Sequence, residues 1–102
     1  MRKILITGGS GFIGTNLVNY YKSFGDEVVN LDIVAPRNPE HTKQWYKLDL
    51  LDSKALDKIV ERLSPDIIFH MAARTDIING ASVADYSVNT EGVKNLIDAI
   101  KK

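Results

Sequence analysis

The sequence lacks cysteine, and it has only two histidines, three prolines and no net charge. The absence of cysteine excludes disulfides, thiolate catalysis and cysteine-ligated zinc. It is compatible with a reducing compartment, and we expect the cytoplasm. His41 and His70 are far apart in sequence and predict no metal site. Because 13 basic and 13 acidic side chains are mixed along the chain, no basic face indicates binding to nucleic acid.

Long hydrophobic runs are also missing. The apolar run Ile4–Ile6 ends at Thr7, so it is too short for the core of a signal peptide or for a helix that spans a membrane. No membrane partner is expected. A length of 102 residues with 44% hydrophobic residues is typical of one globular domain. We therefore treat residues 1–102 as a single domain.

Predicted strands and helices alternate along the chain. Apolar runs predict four strands, which contain Ile4–Ile6, Val28–Leu31, Trp45–Leu48 and Ile67–Phe69. Apolar residues at helical spacing predict three helices: one with Ile13, Leu17, Val18, Tyr21 and Phe24, one with Ala55, Leu56, Ile59, Val60 and Leu63, and one from about Val83 with Val93, Leu96, Ile97 and Ile100. Gly25 and Asp52 are predicted helix caps, and the region of Pro36 and Pro39 is predicted to be a loop. This order predicts a parallel sheet with helices on both faces.

Three glycines follow the first predicted strand and lead into the first helix. Gly8, Gly11 and Gly14 have the spacing G-x-x-G-x-x-G. In a dinucleotide-binding turn, the first glycine allows a sharp turn, the second lets the backbone approach a pyrophosphate, and the third lets the helix pack closely. Glycines that serve only turn geometry are the alternative. A P-loop is disfavoured, because no lysine follows Gly14.

Asp32 strengthens the dinucleotide interpretation. It ends the second predicted strand, close to the spacing of about 20 residues expected for the acid that binds the adenosine ribose. A carboxylate at that position repels a 2′-phosphate, so we expect NAD rather than NADP. Arg37 keeps NADP open as the second candidate cofactor. The predicted fold is α/β, a Rossmann-type doubly wound parallel sheet of about four strands in the order 3-2-1-4.

The chain resembles the extended short-chain dehydrogenase/reductases, whose best-known members are NAD-dependent nucleotide-sugar epimerases and dehydratases. The resemblance rests on TGGSGFIG, Asp32, Asp49-Leu50, His70-Met71-Ala72-Ala73, Asn89-Thr90-Glu91-Gly92 and Asn95-Leu96. It implies that NAD takes a hydride from a sugar carbon and later returns it, and that a nucleotide sugar is the substrate. Arg74-Thr75-Asp76 departs from the commonest sequence of the sugar epimerases and leaves the substrate open.

The resemblance also implies a role for individual residues. Gly8, Gly11, Phe12, Ile13 and Gly14 would hold the pyrophosphate, and Asp32 the adenine ribose. Asp49 and Leu50 would bracket the adenine ring. Ala72 and Ala73 would line the nicotinamide side, with Arg74 and Thr75 close behind, and Asn89 would bridge its helix to the fourth strand. His70 is expected to be a packed residue at a strand end rather than a catalyst.

The family's catalytic Tyr-x-x-x-Lys pair does not occur in this chain. The residues four positions after its tyrosines are Phe24, Gly25, Leu50 and Thr90. No catalytic residue is therefore assigned. We expect the chain to be the inactive N-terminal portion of a longer enzyme, and a stand-alone NAD-binding or redox-sensing module completed by a partner is the alternative. We also expect self-association through the open edge of the fourth strand or through the last helix.

Overall fold

Residues 1–72 and 87–101 are described in a computed structural model, with side chains for residues 1–72 and 93–101. Four strands, three α-helices and one 3₁₀-helix are formed by these residues. In chain order they are β1 (Lys3–Thr7), α1 (Phe12–Ser23), β2 (Glu27–Asp32), the 3₁₀-helix (Pro39–Gln44), β3 (Trp45–Lys47), α2 (Ser53–Leu63), β4 (Ile67–His70) and α3 (Ser87–Ile100).

The four strands form one parallel sheet in the order β3-β2-β1-β4. The predicted fold class and strand order are confirmed. β1 lies between β2 and β4, with Thr7 in register with Leu31 on one side and with His70 on the other. The chain therefore leaves all three strands at the same edge of the sheet.

Helices cover both faces of the sheet. Successive side chains of β1 point to opposite faces and pack against different helices. Ile4 and Ile6 pack with Val18 of α1 and with Val28. Leu5 faces the other side, where it joins the buried residues of α2 and α3. Each large apolar side chain buried in this way stabilises the fold by about 1.5–3 kcal/mol.

Local signals at the helix ends are confirmed. The Asp52 carboxylate accepts a hydrogen bond of 3.2 Å from the Ala55 amide at the start of α2, which satisfies one of the free N–H groups of that turn. Gly25 follows α1 with a φ of +78°, and Ser64 ends α2 with a φ of +47°. These two left-handed residues turn the chain back towards the sheet.

Two predicted apolar stripes are only partly buried. In α3, Leu96 is buried together with Ala99, whereas Val93, Ile97 and Ile100 are exposed. The predicted helix is confirmed, and these three side chains are left exposed because α3 contacts α2 through its Leu96–Ala99 side and no other described element covers the rest of the stripe. Ile13 and Phe24 are exposed as well, since they stand at the two ends of α1.

The segment predicted as a polar loop contains the 3₁₀-helix and a buried histidine. His41 is only 1% exposed, and its Nε2 atom lies 2.6 Å from Asn19 Oδ1 on α1. Burial is the main cause that lowers the pKa of His41, with a contribution from Lys22. The neutral imidazole connects the 3₁₀-helix to α1 through its hydrogen bond to Asn19. The polar sequence around His41 does not indicate this role.

Candidate functional site

Residues 8–14, called the glycine loop below, follow β1 and include the start of α1. They lie where the carboxyl ends of β1, β2 and β4 meet. Of the three glycines in the G-x-x-G-x-x-G motif, Gly8 and Gly14 have no room for a side chain. Gly8 has a φ of +75°, and a Cβ atom there would lie 2.7 Å from the Ala72 nitrogen. A Cβ atom on Gly14 would collide with the Gly8 carbonyl oxygen and would lie 2.6 Å from Gly9 Cα. These two glycines are thus required by the protein itself, with α1 packed on the loop backbone.

Gly11 differs from its two neighbours in the motif. A Cβ atom there would meet only the Gly8 oxygen, at 3.4 Å, which is an ordinary contact. Its φ of −76° and ψ of 178° suit any residue. No described part of the protein therefore requires a glycine at this position. A ligand that approaches the backbone closely would require it.

The first turn of α1 offers unpaired amides next to Gly11. The first helical hydrogen bond runs from the Thr15 amide to the Gly11 carbonyl, at 2.8 Å, so the amides of Phe12, Ile13 and Gly14 have no acceptor within the helix. No side chain caps this end, and its first turn contains no acidic residue. Phe12 and Ile13 expose 71% and 57% of their surface. Their contribution to a phosphate site would come from the backbone.

Asn30 holds the glycine loop through two side-chain hydrogen bonds, to Gly9 and to Ser10. The sequence analysis did not predict this role. Asn30 is fully buried in β2. Its side-chain oxygen accepts a hydrogen bond of 2.7 Å from the Gly9 amide, and its nitrogen donates to Ser10 Oγ at 3.1 Å. A Cβ atom on Gly9 would collide with this side chain. The available signal was a polar residue between Val29 and Leu31 in an otherwise apolar strand.

Asp32 lies at the end of β2, beside the same loop. One carboxylate oxygen accepts from the Ser10 amide at 3.1 Å and the other from the Val34 amide at 2.9 Å. The side chain remains partly exposed, so lone pairs are left for hydroxyl donors. Arg37 donates from Nε to the Ser10 carbonyl at 3.2 Å. The Asp32 carboxylate and the Arg37 guanidinium therefore both hydrogen-bond to the backbone of Ser10.

Asp49 and Leu50 follow β3, and they differ in exposure. Asp49 is exposed, and its carboxylate accepts from the Leu51 amide at 3.0 Å. Leu50 is buried in the core shared by α2 and α3, and its carbonyl accepts from Asn95 Nδ2 at 2.7 Å. The predicted contact of both residues with an adenine ring stays a prediction. Because the Leu50 side chain is committed to the core, Asp49 is the more accessible of the two.

The segment after β4 reaches the loop from the other side. The Met71 amide donates to the Thr7 carbonyl at 2.9 Å, and the Ala72 backbone touches Gly8. Ala73, Arg74 and Thr75 lie outside the described residues. Asn89 belongs to α3, but its side chain also lies outside them. Of the residues predicted for the nicotinamide side, only Ala72 is placed.

Residues 1–72 and 87–101 carry neither a metal-ligand cluster nor a membrane-spanning helix. That part of the chain holds no group of three or more metal-ligating side chains. None of its helices has the length and apolar character needed to cross a membrane. The glycine loop, with Asn30 and Asp32 beside it, is the candidate site in the described part.

Comparison with known families gives these features a context. The sequence profile of the NAD dependent epimerase/dehydratase family matches residues 4–102. The chain belongs to this family. NAD is the cofactor named in the family's description, and the match includes the whole glycine loop, Asp32 and the segment after β4.

Curated proteins resemble the chain over nearly its full length. A 3-beta-hydroxysteroid dehydrogenase from Mycolicibacterium neoaurum is 38% identical, over 95% of this chain and 28% of that protein. A GDP-6-deoxy-D-talose 4-dehydrogenase from Aggregatibacter actinomycetemcomitans is 36% identical, over 96% of this chain and 30% of that protein. The chain therefore spans less than a third of the length of either relative.

Solved structures of similar proteins share the fold. The UDP-glucose 4-epimerase of Thermus thermophilus, in complex with NAD, superposes with a TM-score of 0.80 at 30% identity, over 95% of this chain and 33% of that one. L-threonine dehydrogenase from Phytophthora infestans gives a TM-score of 0.81 at 34% identity, over 97% of this chain and 32% of that one. The names of these relatives include a steroid, sugars and an amino acid, so similarity over this region does not identify a substrate.

Proposed function

We propose that this chain binds NAD, with the pyrophosphate on the free amides of Phe12, Ile13 and Gly14. The observation that carries the proposal is Gly11, which leaves the approach to these amides open although nothing in the described protein requires a glycine there. A helix N-terminus with unpaired N–H groups and the positive end of the helix dipole stabilises a phosphate. Membership of an NAD-dependent family supports the same ligand.

Asp32 is proposed to accept the hydroxyls of the adenosine ribose. Its carboxylate is partly exposed at the carboxyl end of β2, next to the loop that would hold the pyrophosphate. Asp49 is proposed to lie beside the adenine ring, and Ala72 with Ala73 and Arg74 on the nicotinamide side. NAD would supply hydride acceptance and return, whereas these residues bind and orient it.

Replacing Gly11 with valine tests the proposal. The backbone angles of Gly11 suit valine, and a Cβ atom meets no close protein contact there, so the fold should persist. The side chain would occupy the approach to the free amides. We expect the affinity for NAD to fall by at least about a hundredfold, which corresponds to roughly 2.7 kcal/mol. Isothermal titration calorimetry measures the affinity, and urea unfolding monitors the fold.

The matched control is Gly25→Ala. Gly25 also lies in a turn next to α1, far from the proposed phosphate site. An added Cβ atom would have no neighbouring atom within 4 Å, but alanine is strained at a φ of +78°, so the free energy of unfolding should fall by about 1–2 kcal/mol while the chain stays folded. The NAD affinity of this variant should equal that of the unchanged chain. A Gly11→Val variant that folds and binds NAD with unchanged affinity would refute the proposed pyrophosphate site.

A preference for NAD over NADP is the second expected result. A 2′-phosphate would face the Asp32 carboxylate, and two like charges in contact repel each other. Arg37 follows β2 and donates to the Ser10 carbonyl, so its positive charge would favour NADP if it faced the 2′-phosphate. We expect NAD to bind at least about tenfold more tightly, a difference of roughly 1.4 kcal/mol. Dissociation constants of both dinucleotides measure it, and tighter binding of NADP would contradict the role of Asp32.

The activity of the whole protein is a further part of the proposal. We propose that residues 1–102 are the N-terminal cofactor-binding portion of a longer cytoplasmic NAD-dependent epimerase or dehydratase that acts on a nucleotide sugar. The relatives are more than three times as long as the match, and the chain has no Tyr-x-x-x-Lys pair. A stand-alone NAD-binding or redox-sensing module is the second candidate. A Tyr-x-x-x-Lys pair in the reading frame beyond Lys102 would distinguish the first from the second.

Self-association is proposed through β4 or α3. In the described sheet β4 is hydrogen-bonded only to β1, so one side of its backbone has no strand partner among those residues. A groove of about 440 Å³ lies next to it, between α2 and α3, and is lined by Val60, Ile68, Ala99 and Ile100 among others. An open strand edge beside exposed apolar side chains favours pairing with another strand.

A further inference from the structure

Trp45 opens β3 and is the only tryptophan in the chain. It is in register with Asn30 of β2, and its partly buried indole extends along the strand to Asp32, where Nε1 donates a hydrogen bond of 2.9 Å to the main-chain carbonyl. Residues two apart in a strand face the same side of a sheet, and the side chains of Asn30 and Asp32 both contact the glycine loop. The indole thus reaches the end of β2 at the candidate site.

The Asp32 carbonyl has another donor besides the indole. The Leu48 amide donates to the same oxygen at 3.2 Å, at the end of the pairing between β2 and β3. Because this bond already satisfies the carbonyl, the pairing of the two strands does not account for the indole contact.

The carbonyl contact constrains the residues that hold the Asp32 carboxylate. A hydrogen bond to this carbonyl restricts rotation of the peptide group after Asp32, and with it the position of the Val34 amide, which donates to the carboxylate at 2.9 Å. The Val34 carbonyl accepts from Ser10 Oγ at 2.7 Å, and the Ser10 amide donates to the other carboxylate oxygen. The indole therefore acts on the orientation of the carboxylate through the main chain.

We propose that Trp45 is a positioning residue for the adenosine ribose: its indole N–H holds the main chain of Asp32 so that the carboxylate keeps its free lone pairs towards the ribose hydroxyls. This inference rests on the proposed binding of NAD and adds a specificity role to it. Only a dinucleotide with free ribose hydroxyls gains from a well-oriented carboxylate. NADP carries a phosphate on the 2′-hydroxyl, so its binding should depend on Trp45 much less.

Trp45→Phe tests the hydrogen bond, because it retains an aromatic side chain and removes the N–H. Calorimetry measures the affinity for both dinucleotides. We expect NAD affinity to fall about three- to tenfold, the range for one lost hydrogen bond, and NADP affinity to change by less than about twofold. Tyr46→Phe is the matched control, since it removes from the same strand a hydroxyl that accepts a hydrogen bond of 3.0 Å from Arg62. Its NAD affinity should equal that of the unchanged chain.

A double-mutant cycle separates a role through Asp32 from a general loss of stability. Asp32→Asn removes the charged acceptor of the ribose hydroxyls. Adding Trp45→Phe to this variant should lower NAD affinity by less than about twofold, because the group that the indole positions is already altered. A purely structural role of the indole predicts the same loss in both backgrounds.

The indole N–H also gives a direct signal, because one tryptophan yields one indole resonance. In nitrogen-15 NMR spectra this proton should be protected from hydrogen exchange. Its resonance should shift with NAD and with ADP-ribose, but not with nicotinamide mononucleotide, which lacks the adenosine. If Trp45→Phe does not fold, benzothienylalanine at position 45 replaces it, since sulfur then takes the place of the N–H in a ring of the same shape.

The outcomes are distinguishable. Equal losses of NAD and NADP affinity in Trp45→Phe, no loss for either, or the same loss in the Asp32→Asn background would overturn the positioning role while leaving NAD binding intact. An indole resonance that shifts with nicotinamide mononucleotide and not with ADP-ribose would overturn it as well. If the unchanged chain binds neither dinucleotide, the proposed function itself fails, and the role of Trp45 fails with it.

Discussion

Replacing Gly14 with alanine is expected to lower the free energy of unfolding by about 3 kcal/mol or more, the upper range for overpacking. The added Cβ atom would collide with the Gly8 carbonyl oxygen and press on Gly9 Cα. Both contacts are backbone atoms of residues that β2 holds in place, because the Gly8 amide donates to the Leu31 carbonyl and the Gly9 amide to Asn30. They cannot rotate away. The gain of about 1 kcal/mol from replacing glycine within a helix does not offset the collision. Urea unfolding followed by circular dichroism measures the change.

Gly11→Ala is the matched control for this prediction. It adds the same methyl group three residues earlier, where the nearest atom would be 3.4 Å away. Its free energy of unfolding should fall by no more than about 1 kcal/mol, the cost of alanine at the N-cap of a helix. Similar stabilities for Gly11→Ala and Gly14→Ala would contradict the close packing of α1 on the loop.

Replacing Asn30 with alanine is expected to destabilise the chain by about 2–3 kcal/mol, because it leaves buried polar groups without partners. The Gly9 amide would lose its acceptor and the Ser10 hydroxyl its donor. Gly9 and Ser10 are both buried, so water cannot replace these bonds readily. The same variant should weaken NAD binding, since the loop would lose the side chain that holds it.

Asn16→Ala provides the comparison for Asn30→Ala. Asn16 is exposed on α1, where its amide donates to the Phe12 carbonyl at 3.2 Å, and removing it should change stability by less than about 0.5 kcal/mol. Unfolding and NAD titrations are carried out on both variants. Equal stabilities would show that the Asn30 hydrogen bonds do not stabilise the loop.

The fold could be predicted where local pattern and tertiary packing agree. The apolar face of α2 and its Asp52 cap are explicit in the sequence, and so is the alternation that yields the strand order β3-β2-β1-β4. The helical spacing of α3 is confirmed as well, but such spacing shows which face could be buried and not which neighbour covers it. Only Leu96 of the four predicted residues is buried.

In the candidate site, too, the residues with a local sequence signal were predicted and those that depend on distant partners were not. The glycine spacing and Asp32 are local signals, and the structure places them at one edge of the sheet. Asn30 and His41 were missed because their roles depend on partners about 20 residues away in sequence, Gly9 and Asn19. No periodicity marks such a pair, and a single polar residue in an apolar strand is a weak indication of it.

The measurement that tests the central claim most directly is a titration of the isotope-labelled chain with NAD, followed through its backbone amide resonances. If the pyrophosphate binds at the start of α1, the largest shifts will appear at the amides of residues 11–14, with smaller ones at Ser10 and Asp32. Saturation should be reached with NAD at lower concentration than with NADP. Unchanged amides at residues 11–14 in the presence of millimolar NAD, or larger shifts in the groove between α2 and α3, would contradict the account.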